Sequence, residues 1–295
     1  MFWYFIYFIV LIAFYQLINL IYRRWIVREE PTQSTAILIT GGAQGLGRET
    51  ALIYAQKRCK IAIWDIKYDL LDKVKSEITQ AGGTAYCYKC DISDRQEVEN
   101  TARRTLDDMG KIDILINNAA IATHLHHDEI KENHFRKLHE INYLGHAWVT
   151  LAFLPHVRHI TVIASVLSFI PALKESDYCA SKAAINAYFS SLRIELKARK
   201  SPVKVTIVYP YHIFTKMFND MKFGHVKYLL PSQKPGDVAK AIYNGICEKR
   251  EEIFVPGYAK VLCLIALSFP SEVRDWGNEL LFRDACESLK PLAYN

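Results

Sequence analysis

The chain has 295 residues, of which 51% are hydrophobic and 23% are charged, and its net charge at neutral pH is +6. This is the composition of a globular protein, and it excludes a disordered chain and a collagen-like repeat. No run of Lys and Arg accompanies the positive charge, so we predict no nucleic-acid partner. The seven Cys are scattered and odd in number, which is atypical of a secreted disulfide framework and indicates a reducing compartment.

The first 22 residues carry no charged side chain. A helix of that length spans roughly 33 Å, about the thickness of the hydrocarbon core of a bilayer. Arg23, Arg24 and Arg28 follow directly, as at a cytosolic headgroup region, and the features of a cleavable signal peptide are missing. We predict a membrane anchor over residues 1–27, which either spans the bilayer or enters one leaflet, and a polar linker over residues 28–35.

Short apolar runs alternate with helix-length segments from residue 36 to about residue 256. The strand candidates are residues 36–40, 60–65, 84–91, 112–118, 160–165 and 203–209. Strands that alternate with helices predict a parallel sheet covered on both faces. We therefore predict one α/β domain over residues 36–256. An apolar tail follows over residues 257–295, and we predict that it contacts a membrane or a second subunit.

A glycine-rich turn joins the first strand to the first helix at residues 40–47, Thr-Gly-Gly-Ala-Gln-Gly-Leu-Gly. Gly41, Gly45 and Gly47 allow a tight turn and let a pyrophosphate approach the backbone at a helix N-terminus. Asp65 ends the second strand, 24 residues after Gly41, where its carboxylate can bond the ribose hydroxyls of adenosine. The pattern predicts a nicotinamide dinucleotide site.

Asp65 also bears on the choice between NAD and NADP, since a carboxylate at this place would repel a 2′-phosphate. Neither Gln44 in the turn nor Ile66 after the strand supplies a compensating cation, although Lys67 lies close. We therefore predict NAD as the cofactor, with NADP as the alternative.

Tyr178 and Lys182 are four residues apart on a predicted helix, so their side chains share one face. A nearby ammonium favours the phenolate, which could then serve as general base for alcohol oxidation or as general acid in the reverse direction. The pair alone is common in helices. Other residues support a catalytic role for the pair. Ser165 closes a predicted strand 13 residues before Tyr178, and residues 117–120 (Asn-Asn-Ala-Ala) end another predicted strand. Asn142 lies between these two strands in the sequence.

Together these residues resemble the classical short-chain dehydrogenase/reductase family over about residues 35–256. The resemblance implies a single Rossmann-type doubly wound parallel sheet and the catalytic roles of that family. By this resemblance Tyr178 is the acid/base and Ser165 bonds the substrate oxygen. Lys182 binds the nicotinamide ribose and lowers the Tyr pKa, while Asn142 holds a water in a proton relay. The cofactor-binding residues it implies are Thr40, Gly41, Gly45, Leu46, Gly47, Asp65, Asp91, Ile92, Asn118, Ala119, Tyr178, Lys182, Pro210 and Thr215.

Finer features are similar to the membrane-associated retinol and 17β-hydroxysteroid dehydrogenases, namely the N-terminal anchor, Trp64-Asp65, residues 81–86, residues 142–148 and residues 215–218. The resemblance implies an oxidoreductase that transfers a hydride between NAD(H) and a lipophilic alcohol or carbonyl. It implies that the protein is located on the endoplasmic reticulum membrane or on lipid droplets, with the catalytic domain facing the cytosol. It also implies a homo-oligomer. Two alternatives stay open: an NADP-linked retinal or carbonyl reductase, and a weakly active lipid-droplet scaffold of the same fold.

Two positions depart from the family pattern, in which both are glycine. Ala120 adds a methyl near the cofactor, which we expect to be tolerated. Tyr211 follows Pro210 at a place close to the nicotinamide carboxamide, so its side chain must point away or crowd the site. Tyr211 is the main support for the scaffold alternative.

Apolar side chains at residues 214, 217, 218 and 221 have helical spacing and predict one face of a helix. The family resemblance implies that this segment folds over the substrate, and packing on the core is the alternative. His124, His126 and His127 have no carboxylate at metal-ligand spacing, which predicts a solvated loop near the substrate entrance. Cys87 and Cys90 lack the second Cys pair of a zinc site. We predict no metal site.

Overall fold

The structure, a computed structural model, describes residues 28–218, 221 and 231–291. The predicted membrane anchor over residues 1–27 lies outside the described residues. Within the described ranges, none of the helices combines the length and the hydropathy that crossing a bilayer requires.

Seven strands of the described chain form one parallel sheet in the order β3-β2-β1-β4-β5-β6-β7. The strands are β1 Ala36–Thr40, β2 Lys60–Asp65, β3 Thr84–Lys89, β4 Ile114–Asn117, β5 His159–Ile163, β6 Lys204–Pro210 and β7 Glu252–Val255. The strand order reverses between β1 and β4, and ligands of such sheets bind at the carboxyl ends of the strands beside that point. The predicted doubly wound sheet is confirmed.

Helices cover both faces of the sheet, as the alternation of strands and helices predicts. They are α1 Gly45–Gln56, α2 Tyr68–Gln80, α3 Arg95–Met109, α4 Glu132–His139, α5 His146–Phe153, α6 Ser176–Ala198, α7 Pro235–Cys247, α8 Ala259–Leu267 and α9 Ser271–Glu287. A six-residue π-helical turn, Glu140–Gly145, lies between α4 and α5.

The sequence of β1 explains the two-layered core. All five of its residues are buried, and successive side chains of a strand point to opposite faces. Leu38 belongs to the core layer that also contains Phe153 and Phe189 of α5 and α6. Ile37 and Ile39 belong to the opposite layer, with side chains of α1, α2 and α7. The strand is therefore apolar over residues 36–39 because it is covered on both faces.

Two local predictions differ from the structure. The helix predicted from the apolar spacing of residues 214–221 is wrong for its described part, because residues 215–218 form a turn. The Phe214 N–H donates to Gln233, and the Phe218 N–H donates to Thr215, three residues back. These bonds hold an irregular segment between β6 and α7. The strand β7 was not among the predicted strands, since its four residues lack a pattern of their own.

Candidate active site

The glycine turn after β1 is shaped by positions where a side chain would not fit. Gly41 has φ +63°, a conformation that glycine adopts at little cost, and a Cβ there would lie 2.7 Å from the Cα of Ala119. A Cβ on Gly47 would lie 2.3 Å from the carbonyl oxygen of Gly41. The start of α1 therefore packs directly on the turn, and its N–H groups remain available to an anion.

Hydrogen bonds join this turn to the end of β4. The Asn118 side-chain amide donates to the carbonyls of Thr40 and Gly41, both at 3.0 Å. The Thr40 hydroxyl accepts the backbone N–H of Asn118 at 3.0 Å and that of Ala119 at 3.2 Å. Thr40 thus holds the end of β4 against the glycine turn.

Asp65 is almost fully buried at the end of β2 and is oriented by the backbone. Its Oδ2 accepts the Ala43 N–H at 3.0 Å, and its Oδ1 accepts the Lys67 N–H at 3.0 Å. A carboxylate oxygen has a second lone pair, so both oxygens can still accept a ribose hydroxyl. The carboxylate beside a turn that only glycine fits is the arrangement that an adenosine diphosphate moiety requires, so the residues present fit a nicotinamide dinucleotide.

Tyr178, Lys182 and Ser165 lie together at the carboxyl edge of the sheet, and all three are buried. The Lys182 ammonium lies 5.5 Å from the centre of the Tyr178 ring and donates to the Ile163 carbonyl at 2.9 Å. Burial lowers the pKa of Lys182 to about 7. Ser165 follows β5, and its hydroxyl accepts the Leu167 N–H at 3.1 Å, which fixes its rotamer.

Asn142 lies in the π-helical turn, a form that is frequent at functional sites. Its side chain accepts the Ile121 N–H at 2.8 Å and donates to the Ile121 carbonyl at 2.9 Å. It also donates to the Ser181 hydroxyl at 3.1 Å, which donates to the Tyr178 carbonyl at 2.8 Å. Asn142 therefore connects the loop after β4 to α6.

His146 begins α5 one helical turn after Asn142 and is completely buried. Its Nε2 lies 2.6 Å from the carbonyl oxygen of Ala119, an acceptor only, so this nitrogen carries the proton. Burial, reinforced by the Lys182 charge, lowers its pKa to about 3. The imidazole is therefore neutral, and it fixes the loop that faces the glycine turn.

One cavity of about 650 Å³ connects the glycine turn to Tyr178. The predicted site residues that line it are Gly41, Gly45, Leu46, Asp65, Asp91, Ile92, Asn118, Ala119, Ser165, Tyr178, Lys182, Pro210 and Thr215. Three further predicted residues do not line the cavity but hold the lining residues in place through the contacts described above: Thr40, Gly47 and Asn142.

The far end of the cavity is mostly apolar and includes side chains from the C-terminal helices. Leu167 and Ile170 contribute from the segment before α6, Leu262 from α8, and Phe282 from α9. Sequence reasoning missed the contribution of α8 and α9, for which no motif gives a signal.

Tyr211 lines the cavity and packs on the core layer that contains α5 and α6. Burial raises the pKa of its phenol, and the neighbouring Cys286 and Tyr258 act in the same direction. The side chain is therefore partly buried against this core layer at the edge of the cavity.

The prediction of a solvated histidine loop is wrong for His124, which is 1% exposed. Its Nδ1 contacts the Glu175 carboxylate, and its Nε2 lies 2.7 Å from the Met217 carbonyl oxygen. Glu175 is 51 residues away, so no local spacing could have revealed the pair. Within the described residues, no group of three or more His, Cys, Asp or Glu side chains could hold a metal ion.

Comparison with known proteins shows the family. Residues 35–223 match the family model described as short chain dehydrogenase. The chain belongs to the short-chain dehydrogenase family. As a member of this family it is an alcohol dehydrogenase/reductase that uses a nicotinamide dinucleotide.

Relatives of this short-chain dehydrogenase include retinol and steroid dehydrogenases. Human retinol dehydrogenase 10 is 29% identical, over 89% of this chain and 87% of its own length. The 17-beta-hydroxysteroid dehydrogenase 13 of Rattus norvegicus is 28% identical, over 83% of each chain. These names place the chain in the retinol/steroid dehydrogenase branch.

A solved structure has the same fold. The crystal structure of a short-chain dehydrogenase/reductase from Burkholderia phymatum in complex with NAD has a TM-score of 0.72 at 20% identity. The match covers 88% of this chain and 98% of that one.

Proposed function

We propose that this short-chain dehydrogenase uses NAD to oxidise a lipophilic secondary or allylic alcohol, such as a retinoid, a steroid or a related lipid alcohol. One observation carries the proposal: a single cavity joins Asp65 and the glycine turn to Tyr178, and Tyr178 to an apolar end. Such a cavity suits a dinucleotide at one end and an apolar substrate at the other.

In this proposal Tyr178 removes the hydroxyl proton of the substrate while the Ser165 hydroxyl binds the substrate oxygen. The Lys182 ammonium lies close enough to favour the phenolate and would bind the nicotinamide ribose. The bound cofactor supplies the hydride acceptor. Asn142, whose side chain fixes the turn around it, would hold the water of a proton relay.

The preference for NAD rests on Asp65. Its carboxylate is almost fully buried and held in place by two backbone N–H groups, so it cannot swing away from a 2′-phosphate without breaking both bonds. The neighbouring Ile66 and Lys67 are exposed. We therefore propose that the Asp65 carboxylate accepts hydrogen bonds from the adenosine ribose hydroxyls of NAD.

We further propose that the chain acts at the endoplasmic reticulum membrane or a lipid droplet, with residues 1–27 as anchor, 28–35 as linker and 36–256 as catalytic domain. The C-terminal tail over residues 257–295 supports this, because α8 and α9 expose large apolar side chains. Leu264 is 52% exposed, Trp276 64% and Leu280 65%. Exposed apolar patches mark membrane or subunit contacts, and a homo-oligomer is part of the proposal.

The test is NADH production by membranes that carry the protein, supplied with NAD and separately with retinol, a steroid alcohol or a long-chain alcohol. Tyr178→Phe is the test variant, and Tyr188→Phe is the matched control. Tyr188 lies on the same helix, packs edge-on against Tyr143 and Phe189, and does not line the cavity. We expect Tyr178→Phe to abolish turnover and Tyr188→Phe to retain it.

Three other results would contradict the proposal. Turnover with NADPH and retinal, but not with NAD and any alcohol, would favour the NADP-linked reductase. Intact NADH binding without Tyr178-dependent turnover of any substrate would favour the scaffold. Equal loss in both variants would remove Tyr178 from its proposed role.

A further inference from the structure

A buried imidazole–carboxylate pair lies on the substrate side of the cavity, outside the residues assigned to catalysis. His124 and Glu175 are each 1% exposed and in direct contact through Nδ1 and Oε1. His124 has φ 59°, in the left-handed region that is uncommon for residues other than glycine. Such a conformation persists only where the surroundings fix it, and here the side chain is held at both nitrogens.

The two nitrogens of His124 have distinct roles. Nε2 faces the Met217 carbonyl oxygen, which can only accept, so Nε2 carries a proton. The contact between Nδ1 and Glu175 then needs one further proton, held by either partner. Burial alone would lower the pKa of His124, but the Glu175 contact outweighs it and the pKa is raised. Burial raises the pKa of Glu175, against the effect of His124. The pair therefore shares a proton and keeps Nε2 a donor.

A second imidazole holds the adjacent peptide. His212, which is also buried, lies with Nε2 3.0 Å from the Phe218 carbonyl oxygen. Two consecutive carbonyls, those of Met217 and Phe218, are thus held by two histidines from different parts of the chain. Since residues 215–218 form a turn and not a helix, these bonds replace those that a helix would have provided.

The side chain held in this way is the ring of Phe218. Its centre lies 5.0 Å from the His124 ring and 5.8 Å from the Tyr178 ring, edge-on to the latter. Both Met217 and Phe218 line the cavity. The position of the Phe218 ring therefore decides how much room there is beside Tyr178.

We propose that the His124–Glu175 pair is a positioning device that fixes the Phe218 ring as the wall against which a bulky apolar substrate packs. The inference rests on the proposed function, because the wall affects specificity only if Tyr178 is the acid/base. A small alcohol needs only Tyr178 and Ser165. A large one needs the wall as well, since apolar contact area orients it for hydride transfer.

The test compares kinetics on retinol and on cyclohexanol. His124→Leu removes both hydrogen bonds, whereas His124→Gln keeps an amide that can donate to the Met217 carbonyl. Glu175→Gln keeps a donor toward Nδ1 and so leaves Nε2 protonated. Thr123→Val is the matched control, because the Thr123 hydroxyl joins the same two segments by donating to Asp177 at 2.6 Å. Neither Thr123 nor Asp177 lines the cavity.

We expect His124→Leu to lower kcat/KM for retinol at least about 10-fold, mainly through KM, and to change cyclohexanol turnover less than about 3-fold. His124→Gln and Glu175→Gln should recover most of the retinol activity. Thr123→Val should lower the melting temperature without changing the ratio of the two activities. The affinity for NADH should be the same in every variant.

Equal losses on retinol and cyclohexanol, or a His124→Gln variant as impaired as His124→Leu, would overturn the proposal. Retinol binding by equilibrium dialysis separates this failure from that of the proposed function. If the wild type oxidises none of retinol, a steroid alcohol and a long-chain alcohol, the proposed function fails. The positioning inference would then be refuted as well only if His124→Leu binds retinol as tightly as the wild type.

Discussion

Exchange of Asp65 for Asn tests the electrostatic basis of the cofactor preference. The substitution removes one negative charge and keeps the side chain's shape and one oxygen, so one of the bonds to the Ala43 and Lys67 N–H groups survives. Asp69→Asn is the matched control, because Asp69 is exposed in the first turn of α2 and its loss changes the net charge equally.

The expected size of the effect follows from the burial of Asp65. Two like unit charges about 4 Å apart repel by about 4 kcal/mol at an effective dielectric constant of about 20. Water at the cavity mouth reduces this, and we take about 2 to 3 kcal/mol, which is a gain of about 30- to 150-fold in NADPH affinity. NADH loses hydrogen bonds to a charged acceptor, each of which contributes about 1.5 to 3 kcal/mol.

The assay measures the dissociation constants of NADH and NADPH from the rise in nicotinamide fluorescence on binding. The ratio of the two constants should change by at least about 100-fold in Asp65→Asn, since both effects act in the same direction. Asp69→Asn should leave the ratio unchanged. An unchanged ratio in Asp65→Asn would refute the assignment of NAD to this carboxylate.

Three further predictions concern other parts of the molecule. Gly47→Ala should abolish NADH binding, because the new methyl would lie 2.3 Å from the Gly41 carbonyl oxygen; fluorescence titration measures it. Lys182→Met should unfold at a higher temperature than the wild type at pH 7 without cofactor, because it removes a buried amine whose pKa is lowered to about 7. The unfolded wild type binds one more proton than the folded form between about pH 7 and about pH 10, so the stability of the wild type rises with pH. The difference in unfolding temperature between Lys182→Met and the wild type should therefore shrink over this range. Leu280→Asp should lower binding to phosphatidylcholine vesicles in a flotation assay, since this side chain is 65% exposed on the apolar surface of α9.

Each of these has an outcome that contradicts it. Wild-type NADH affinity in Gly47→Ala would mean that the turn is not packed as described. A stability difference between the wild type and Lys182→Met that does not vary with pH would show that the folded lysine keeps an ordinary pKa. Undiminished vesicle binding of Leu280→Asp would show that α9 makes no membrane contact.

The sheet could be predicted from the sequence because its central strands are buried on both faces. Runs such as residues 36–39 are apolar at every position, and the six predicted strands overlap β1 to β6. The glycine turn and Asp65 were found for a related reason, since their chemistry depends on short spacings at strand ends. The strand β7 was missed because it is short and follows charged residues.

The contacts that shape the substrate side could not be predicted in this way. His124 meets Glu175 and Met217 across separations of 51 and 93 residues, which only the folded chain brings together. The apolar spacing of Phe214, Met217 and Phe218 suggested a helix, yet two buried imidazoles hold this segment as a turn. Tertiary hydrogen bonds here override the local periodicity.

The central claim is that Tyr178 assists direct hydride transfer from a lipophilic alcohol to NAD. The most direct measurement supplies the protein with NAD and with retinol, a steroid alcohol and a long-chain alcohol, each deuterated at the carbinol carbon, and analyses the reduced cofactor by mass spectrometry. We predict that deuterium appears in NADH with one of these alcohols, and that none appears with Tyr178→Phe. Reduced cofactor without deuterium, or the same deuterium transfer by Tyr178→Phe, would contradict the account.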